Sequence, residues 1–118
     1  MTSIDTSRYI AFEGAEGAGK STVAEAVAGH LRTRGDVVVT VRDPGGTPVG
    51  EAVRQILLGG KLRPGPRSEA ALFAAARAQL IAEVVAPALD RGEWVLSDRT
   101  VYSSLAYQAG GRGLRHDD

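Results

Sequence analysis

The chain has 118 residues, 43% hydrophobic and 24% charged, with 14 Lys and Arg balanced by 14 Asp and Glu and with no cysteine. That balance provides no global field for DNA, RNA or an anionic membrane, so any anion site must be local, and disulfides and thiolate metal sites are excluded. The opening MTSIDTSRYIAFEG has no long apolar core of a signal peptide and no run approaches membrane-spanning length, so one soluble, cytoplasmic domain is the expectation, over residues 1–118 with 115–118 as a frayed tail.

In chain order, residues 9–13 form a short apolar run with the length of a buried strand. Over 19–34, Val23, Val27 and Leu31 recur every four positions, which predicts a helix with Gly35 suited to its C-terminal cap. VVVTV, residues 37–41, is β-branched throughout and predicts a second buried strand. Thr47 as N-cap and Pro48 at the first helical position open a helix carrying Val49, Val53, Ile56 and Leu57, which Gly59 and Gly60 end. Ser68 with Glu69 starts a long helix with Leu72, Phe73, Ala76, Leu80 and Val84 on one side, and Pro87 is expected to break or kink it. Residues 94–96 are a third apolar run, with Trp94 in the core, ending in Ser97, Asp98 and Arg99. A helical stretch over 101–107 and the loop AGGRGL follow, while His30 and His116 read as surface residues. Strands alternating with helices predict an α/β fold with a parallel sheet buried on both faces.

Three glycines crowd EGAEGAGKST, between the first strand and the first helix. GAEGAGKS, residues 14–21, fits the phosphate-loop pattern G-x-x-x-x-G-K-S/T without a mismatch and in the required strand–loop–helix context. Side chains would block a loop that wraps a phosphate chain with its own N–H groups, so bare backbone is needed, and the helix behind aims its dipole at the anion. In that pattern Gly14, Ala15, Glu16, Gly17, Ala18, Gly19 and Thr22 frame the ATP phosphates, Lys20 meets the β- and γ-phosphates, and the Ser21 hydroxyl binds Mg2+. The plainer alternative is a tight turn with a surface lysine. Asp98, at the carboxyl edge where ligands of such sheets collect, is a second candidate for Mg2+, and Arg99 could grip another phosphate. A helix N-cap beside a solvated arginine is the alternative there.

FEGAEGAGKST (12–22), RDPGGTPVG (42–50), ALFAAARAQ (71–79) and SDRTVYSSLAYQAGGRG (97–113) occur in that order. Together they resemble the bacterial thymidylate kinases, and the likeness runs over residues 9–114. The resemblance implies a three-layer P-loop nucleotide-kinase fold and transfer of phosphate from MgATP to dTMP. It implies no nucleic-acid or membrane partner, and a homodimer formed through helices. It makes Lys20, Asp98 and Arg99 catalytic. Glu16 would meet the acceptor's 3′-hydroxyl, and Arg42 and Arg99 its phosphate. Phe73 would stack on thymine, with Arg77 at its edge. Ser104 and Gln108 would read the base, and Tyr107 would pack on the deoxyribose. Glu16 as an exposed loop carboxylate is the alternative there, and from spacing alone Phe73 reads as plain core.

The chain departs from the family pattern at three positions: Asp43 replaces a glutamate, Ala76 an acid, and Thr100 an aromatic residue or histidine. Ala76 and Thr100 leave open another nucleoside monophosphate as acceptor. Members of the family are longer, and with Gly17 in the loop their catalytic arginines come from a lid that follows. The resemblance therefore implies that residues 1–118 are an N-terminal part, lacking the lid and the C-terminal strands. A nucleotide-binding remnant without turnover is the rival from another class.

Overall fold

The computed structural model describes residues 5–14 and 20–100. Three strands, β1 (Tyr9–Gly14), β2 (Val38–Asp43) and β3 (Trp94–Thr100), form a parallel sheet in the order β1-β3-β2. Helices α1 (Lys20–Thr33), α2 (Pro48–Leu58), α3 (Pro66–Leu80) and α4 (Ala86–Asp90) connect and cover them, with one π-helical turn at Ile81–Val85 between α3 and α4. The observed bounds shift from the expected ones by a few residues at most. The largest change is in β3, where Ser97, Asp98 and Arg99 continue the strand because both neighbours pair with them through Thr100 or Arg99.

The alternation of strand side chains builds two cores. Ala28 and Leu31 of α1 pack with Val38 and Leu96 on one face, joined by Ile10, Phe12, Val27 and Trp94. On the other face Leu80, Val85, Ala88 and Leu89 pack with Val95, joined by Tyr9, Val39, Val41 and Val84. These layers make the predicted α/β sandwich. Val95 is wholly buried and Leu96 2% exposed, so burial on both faces makes β3 an apolar run; each such side chain contributes about 1.5–3 kcal/mol. Trp94 is only partly buried at the margin of its core. Val23, expected on the inner face of α1, is 54% exposed.

Helix α3 begins at Pro66 rather than Ser68, with Gly65 as N-cap. A proline at N1 loses no hydrogen bond, since that N–H has no partner in any helix. Pro87 neither ends nor breaks the rod. The wider turn at Ile81–Val85 precedes it, and a π turn absorbs the missing donor and the ring's crowding of the preceding turn. The continuous helical segment Pro66–Asp90 has 25 residues and is long and apolar enough, by length and composition, to cross a membrane. This corrects the expectation that no run reaches that size. Its alanines make the segment apolar, and its inner residues Ala76, Leu80, Val85 and Ala88 are buried.

The link from β2 to α2 needs its glycines. Thr47 caps α2 by accepting from Gly50 N–H at 2.8 Å. A Cβ on Gly50 would stand 2.7 Å from the Gly45 carbonyl oxygen and 3.0 Å from its carbon. Glycine-to-alanine changes inside helices ordinarily stabilise by about 1 kcal/mol. Gly50→Ala should do the opposite, because backbone rather than a flexible side chain must give way, and its urea midpoint should fall below that of the wild type.

Candidate functional site

Parallel strands expose their carboxyl ends together, and here those ends carry charge. Glu13, Arg99 and Asp43 stand side by side in register across β1, β3 and β2. Arg99 donates from Nη1 to Glu13 Oε2 at 3.2 Å and from Nη2 to the Tyr9 hydroxyl at 3.1 Å, with its guanidinium 5.8 Å from the Tyr9 ring centre. Its Nε lies 3.7 Å from Asp43 Oδ2. Burial works against the Arg99 charge, yet Tyr9, Glu13 and Asp43 together hold the guanidinium above its ordinary range.

A second arginine reaches the same carboxylate from the helix layer. Arg77 Nε donates to Asp43 Oδ2 at 2.7 Å, and the guanidinium lies 5.7 Å from the centre of the Phe73 ring one turn earlier. The i, i+4 spacing thus puts Phe73 and Arg77 on one face of α3 as expected. Phe73 is half-buried and stands outside both apolar cores. Asp43 itself is 1% exposed.

Arg42 alternates to the other side of β2, where it lines a cavity of about 700 Å³ together with Asp98, Phe12, Leu96 and Glu51. Glu51 grips it through two bonds, Nε to Oε2 at 3.1 Å and Nη2 to Oε1 at 2.6 Å. The same carboxylate accepts from Gly46 N–H at 2.9 Å, and Arg54 donates to the Pro44 carbonyl at 2.9 Å. Residues 43–47 are therefore fastened to α2 at two points. The cavity contains none of Asp43, Phe73, Arg77 or Arg99. Charge and strand ends, rather than hollow volume, locate the candidate site.

Helix α1 starts at Lys20, six residues beyond the end of β1, and has no acidic residue in its first turn. That leaves its dipole uncompensated and suited to an anion. Gly14 ends β1 and Thr22 lies exposed in the first turn of α1. Ala15, Glu16, Gly17, Ala18, Gly19, Ser104, Tyr107 and Gln108 lie outside the described residues, as do the stretch 101–118 and the side chains of Lys20 and Ser21.

So the structure brings Phe73, Arg77 and Arg99 together and sets Asp98 and Arg42 on the α1 side. Sequence reasoning missed Tyr9, Glu13, Asp43, Glu51 and Arg54 as participants. For Tyr9 and Glu13 a signal existed: alternation in β1 puts both on one face. Glu51 follows the N-cap Thr47 by four residues, in the first turn of α2, where acids are favoured by the helix dipole.

A parallel sheet flanked by helices, a complete phosphate-loop sequence leading into α1 and arginines gathered at the strand ends define the class of P-loop nucleotide kinases. Within that class the thymidylate kinase family model matches residues 12–117, so the chain belongs to the thymidylate kinase family. It is 51% identical over 114 residues to a thymidylate kinase of Bifidobacterium longum, which spans 93% of this chain and 55% of the relative. It is 57% identical over 109 residues to that of Cupriavidus pinatubonensis, covering 91% and 53% respectively. A crystal structure of thymidylate kinase from Ehrlichia chaffeensis superposes with a TM-score of 0.72 at 34% identity, covering 90% of this chain and 60% of that one. The chain spans about half the length of the curated relatives it matches.

The Arg42 and Gly46 bonds hold the Glu51 carboxyl down from 4.5 to about 2. A carboxyl lowered on folding stabilises above its unfolded value and loses that contribution as pH falls through the folded one. The fastening of residues 43–47 should therefore persist at pH 5 and loosen between about 4.5 and 2. A carboxyl-carbon NMR titration of Glu51 should give a midpoint well below that of an exposed glutamate, and Arg42→Ala should raise it toward the ordinary value, with the Gly46 bond keeping part of the lowering.

Proposed function

We propose that this chain carries the nucleotide-binding half of an ATP-dependent dTMP kinase, giving dTDP and ADP. The observation that supports this most is the Arg77–Asp43–Arg99 group at the carboxyl end of the sheet, beside a phosphate-loop sequence and within a thymidylate kinase family match. An oxygen of the acceptor's 5′-phosphate attacks the γ-phosphorus in line, and the bond to ADP breaks on the far side. No covalent intermediate is required, because positioning and charge neutralisation provide the catalysis.

Residues divide by side of the sheet. On the α1 side, the amides of Gly14, Ala15, Glu16, Gly17, Ala18 and Gly19, with Lys20, Ser21 and Thr22, hold the ATP phosphates. On the α3 side, Arg99 takes the acceptor phosphate, Phe73 stacks on the base and Arg77 reaches its edge. Ser104, Tyr107 and Gln108 complete the base and sugar contacts, and Glu16 meets the 3′-hydroxyl. Arg42 assists at the acceptor phosphate.

Among the described residues no three His, Asp or Glu converge as a metal cage. Mg2+ needs only one or two side chains when phosphate and water oxygens fill its octahedron. Ser21 and half-buried Asp98 are the residues that would hold it, and when bound it neutralises charge on the β- and γ-phosphates. The same reading makes the whole protein a cytoplasmic homodimer with nucleotides as its small-molecule partners, and residues 1–118 a single unit of it.

Two substitutions test the division. Arg99→Ala should weaken dTMP binding about 10- to 100-fold in calorimetry, the worth of a charge-assisted contact, while leaving MgATP affinity nearly unchanged; equal losses for both ligands would refute the assignment. Lys20→Ala should abolish ATP-dependent phosphoryl transfer with an unaltered circular dichroism spectrum, and near-normal transfer would refute the phosphate loop.

A further inference from the structure

Several buried polar atoms near the strand ends have no hydrogen-bond partner among the described residues. They are Asp43 Oδ1, Ser97 Oγ and Arg99 Nε, and by strand alternation all three residues face the α3 layer. Asp43 is 1% exposed and Ser97 wholly buried. One oxygen of Asp43 does all the work, accepting from Arg77 Nε at 2.7 Å and standing 3.7 Å from Arg99 Nε.

An ion pair present only to fasten α3 to the sheet would be expected to use both oxygens, because a buried polar atom left unpaired is costly. The arrangement instead turns the Nε of each guanidinium toward one shared atom, Arg77 in a hydrogen bond and Arg99 in an ion-pair approach only. Arg77 is left with both Nη groups unpartnered among the described residues and with its side chain 40% exposed. Phe73 beneath Arg77 and Tyr9 beside Arg99 fix the planes of the two guanidinium groups. Asp43 cannot drift, because its backbone pairs with Arg99 in the sheet and the loop behind it is tied to Glu51 and Arg54.

We propose that Asp43 is a positioning residue, which holds Arg77 and Arg99 at a set separation so that the Nη edge of Arg77 and the second N–H of each Arg99 Nη group, beyond those given to Glu13 and Tyr9, meet the two ends of one acceptor nucleotide. This rests on the acceptor reading given above. Long arginine side chains are otherwise free to sample many rotamers, and a guanidinium already turned to its ligand loses less freedom on binding. Asp43 touches no substrate atom. Its effect on the acceptor passes entirely through the two arginines.

The test is calorimetry of dTMP and MgATP on the full 118-residue chain and its D43N, R99A and D43N/R99A variants, with 15Nε NMR of the arginines alongside. D43N should weaken dTMP about tenfold and leave MgATP unchanged, since misplaced groups of this kind cost tenfold or more. In the R99A background the same change should cost less than about threefold, because one of the two groups it positions is gone. D43N binding dTMP as tightly as the wild type, or losing the same factor in both backgrounds, overturns the proposal. A wild type that binds no dTMP overturns the acceptor reading instead. Should D43N fail to fold, the wild type decides: Arg77 Nε–H in slow exchange, moving with Arg99 Nε–H on adding dTMP, supports the proposal, and rapid exchange of both overturns it.

Discussion

A carboxylate at the end of a parallel sheet, withdrawn from water and faced by two guanidinium groups, organises this end of the molecule. Desolvating an unpaired charge costs several kcal/mol, and removing a partner from a buried pair typically costs about 3–5 kcal/mol. Asp43 therefore constrains whatever surrounds it. Arg77 must come from the helix layer and Arg99 from the neighbouring strand, so α3 can lie over the sheet only where its second half brings Arg77 above the end of β2. Apolar packing of Leu80 and Val85 on Val95 supplies adhesion between those layers, but it is non-directional and would tolerate sliding. The ion pair sets the register that packing leaves loose.

Consecutive residues of β3 then divide the chemistry. Asp98 and Arg99 are adjacent in sequence and project to opposite faces because strand side chains alternate. Asp98 shares a cavity with Leu96 on the α1 side, while Arg99 joins Tyr9, Glu13 and Asp43 on the other. An acid suited to a metal and a base suited to phosphate can thus sit one residue apart without neutralising each other. The sheet itself keeps the two apart.

Much of this could be read before any coordinates. Short continuous apolar runs placed the three strands and a spacing of three to four placed α1, α2 and α3, while α4 runs on through Pro87 where a break or kink was expected; the Thr47–Pro48 start of α2 was marked by its capping chemistry. The phosphate-loop pattern pointed to ATP because its glycines have a steric purpose. What escaped were pairings between residues distant in sequence. Arg77 and Asp43 are 34 positions apart and Arg99 and Tyr9 are 90 apart; no local pattern encodes such contacts, which depend on strand order and register. Arg42 shows the converse. Its motif assigned it to the acceptor phosphate, but the structure shows that Glu51, nine residues on, already holds it bidentately.

The alanine-rich helix α3 resolves an apparent conflict between composition and place. A segment apolar enough to span a membrane would ordinarily bury a broad stripe, yet here much of its apolar character is alanine, which adds little area and much thinness. Ala76 is wholly buried, and no bulk at that position separates α3 from its neighbours. That close approach lets the next residue, Arg77, reach across to Asp43 at 2.7 Å. A larger side chain at position 76 would lift the helix and lengthen that bond before it disturbed either core. In this chain, then, the small residue beside the arginine belongs to the charge arrangement as much as to the packing.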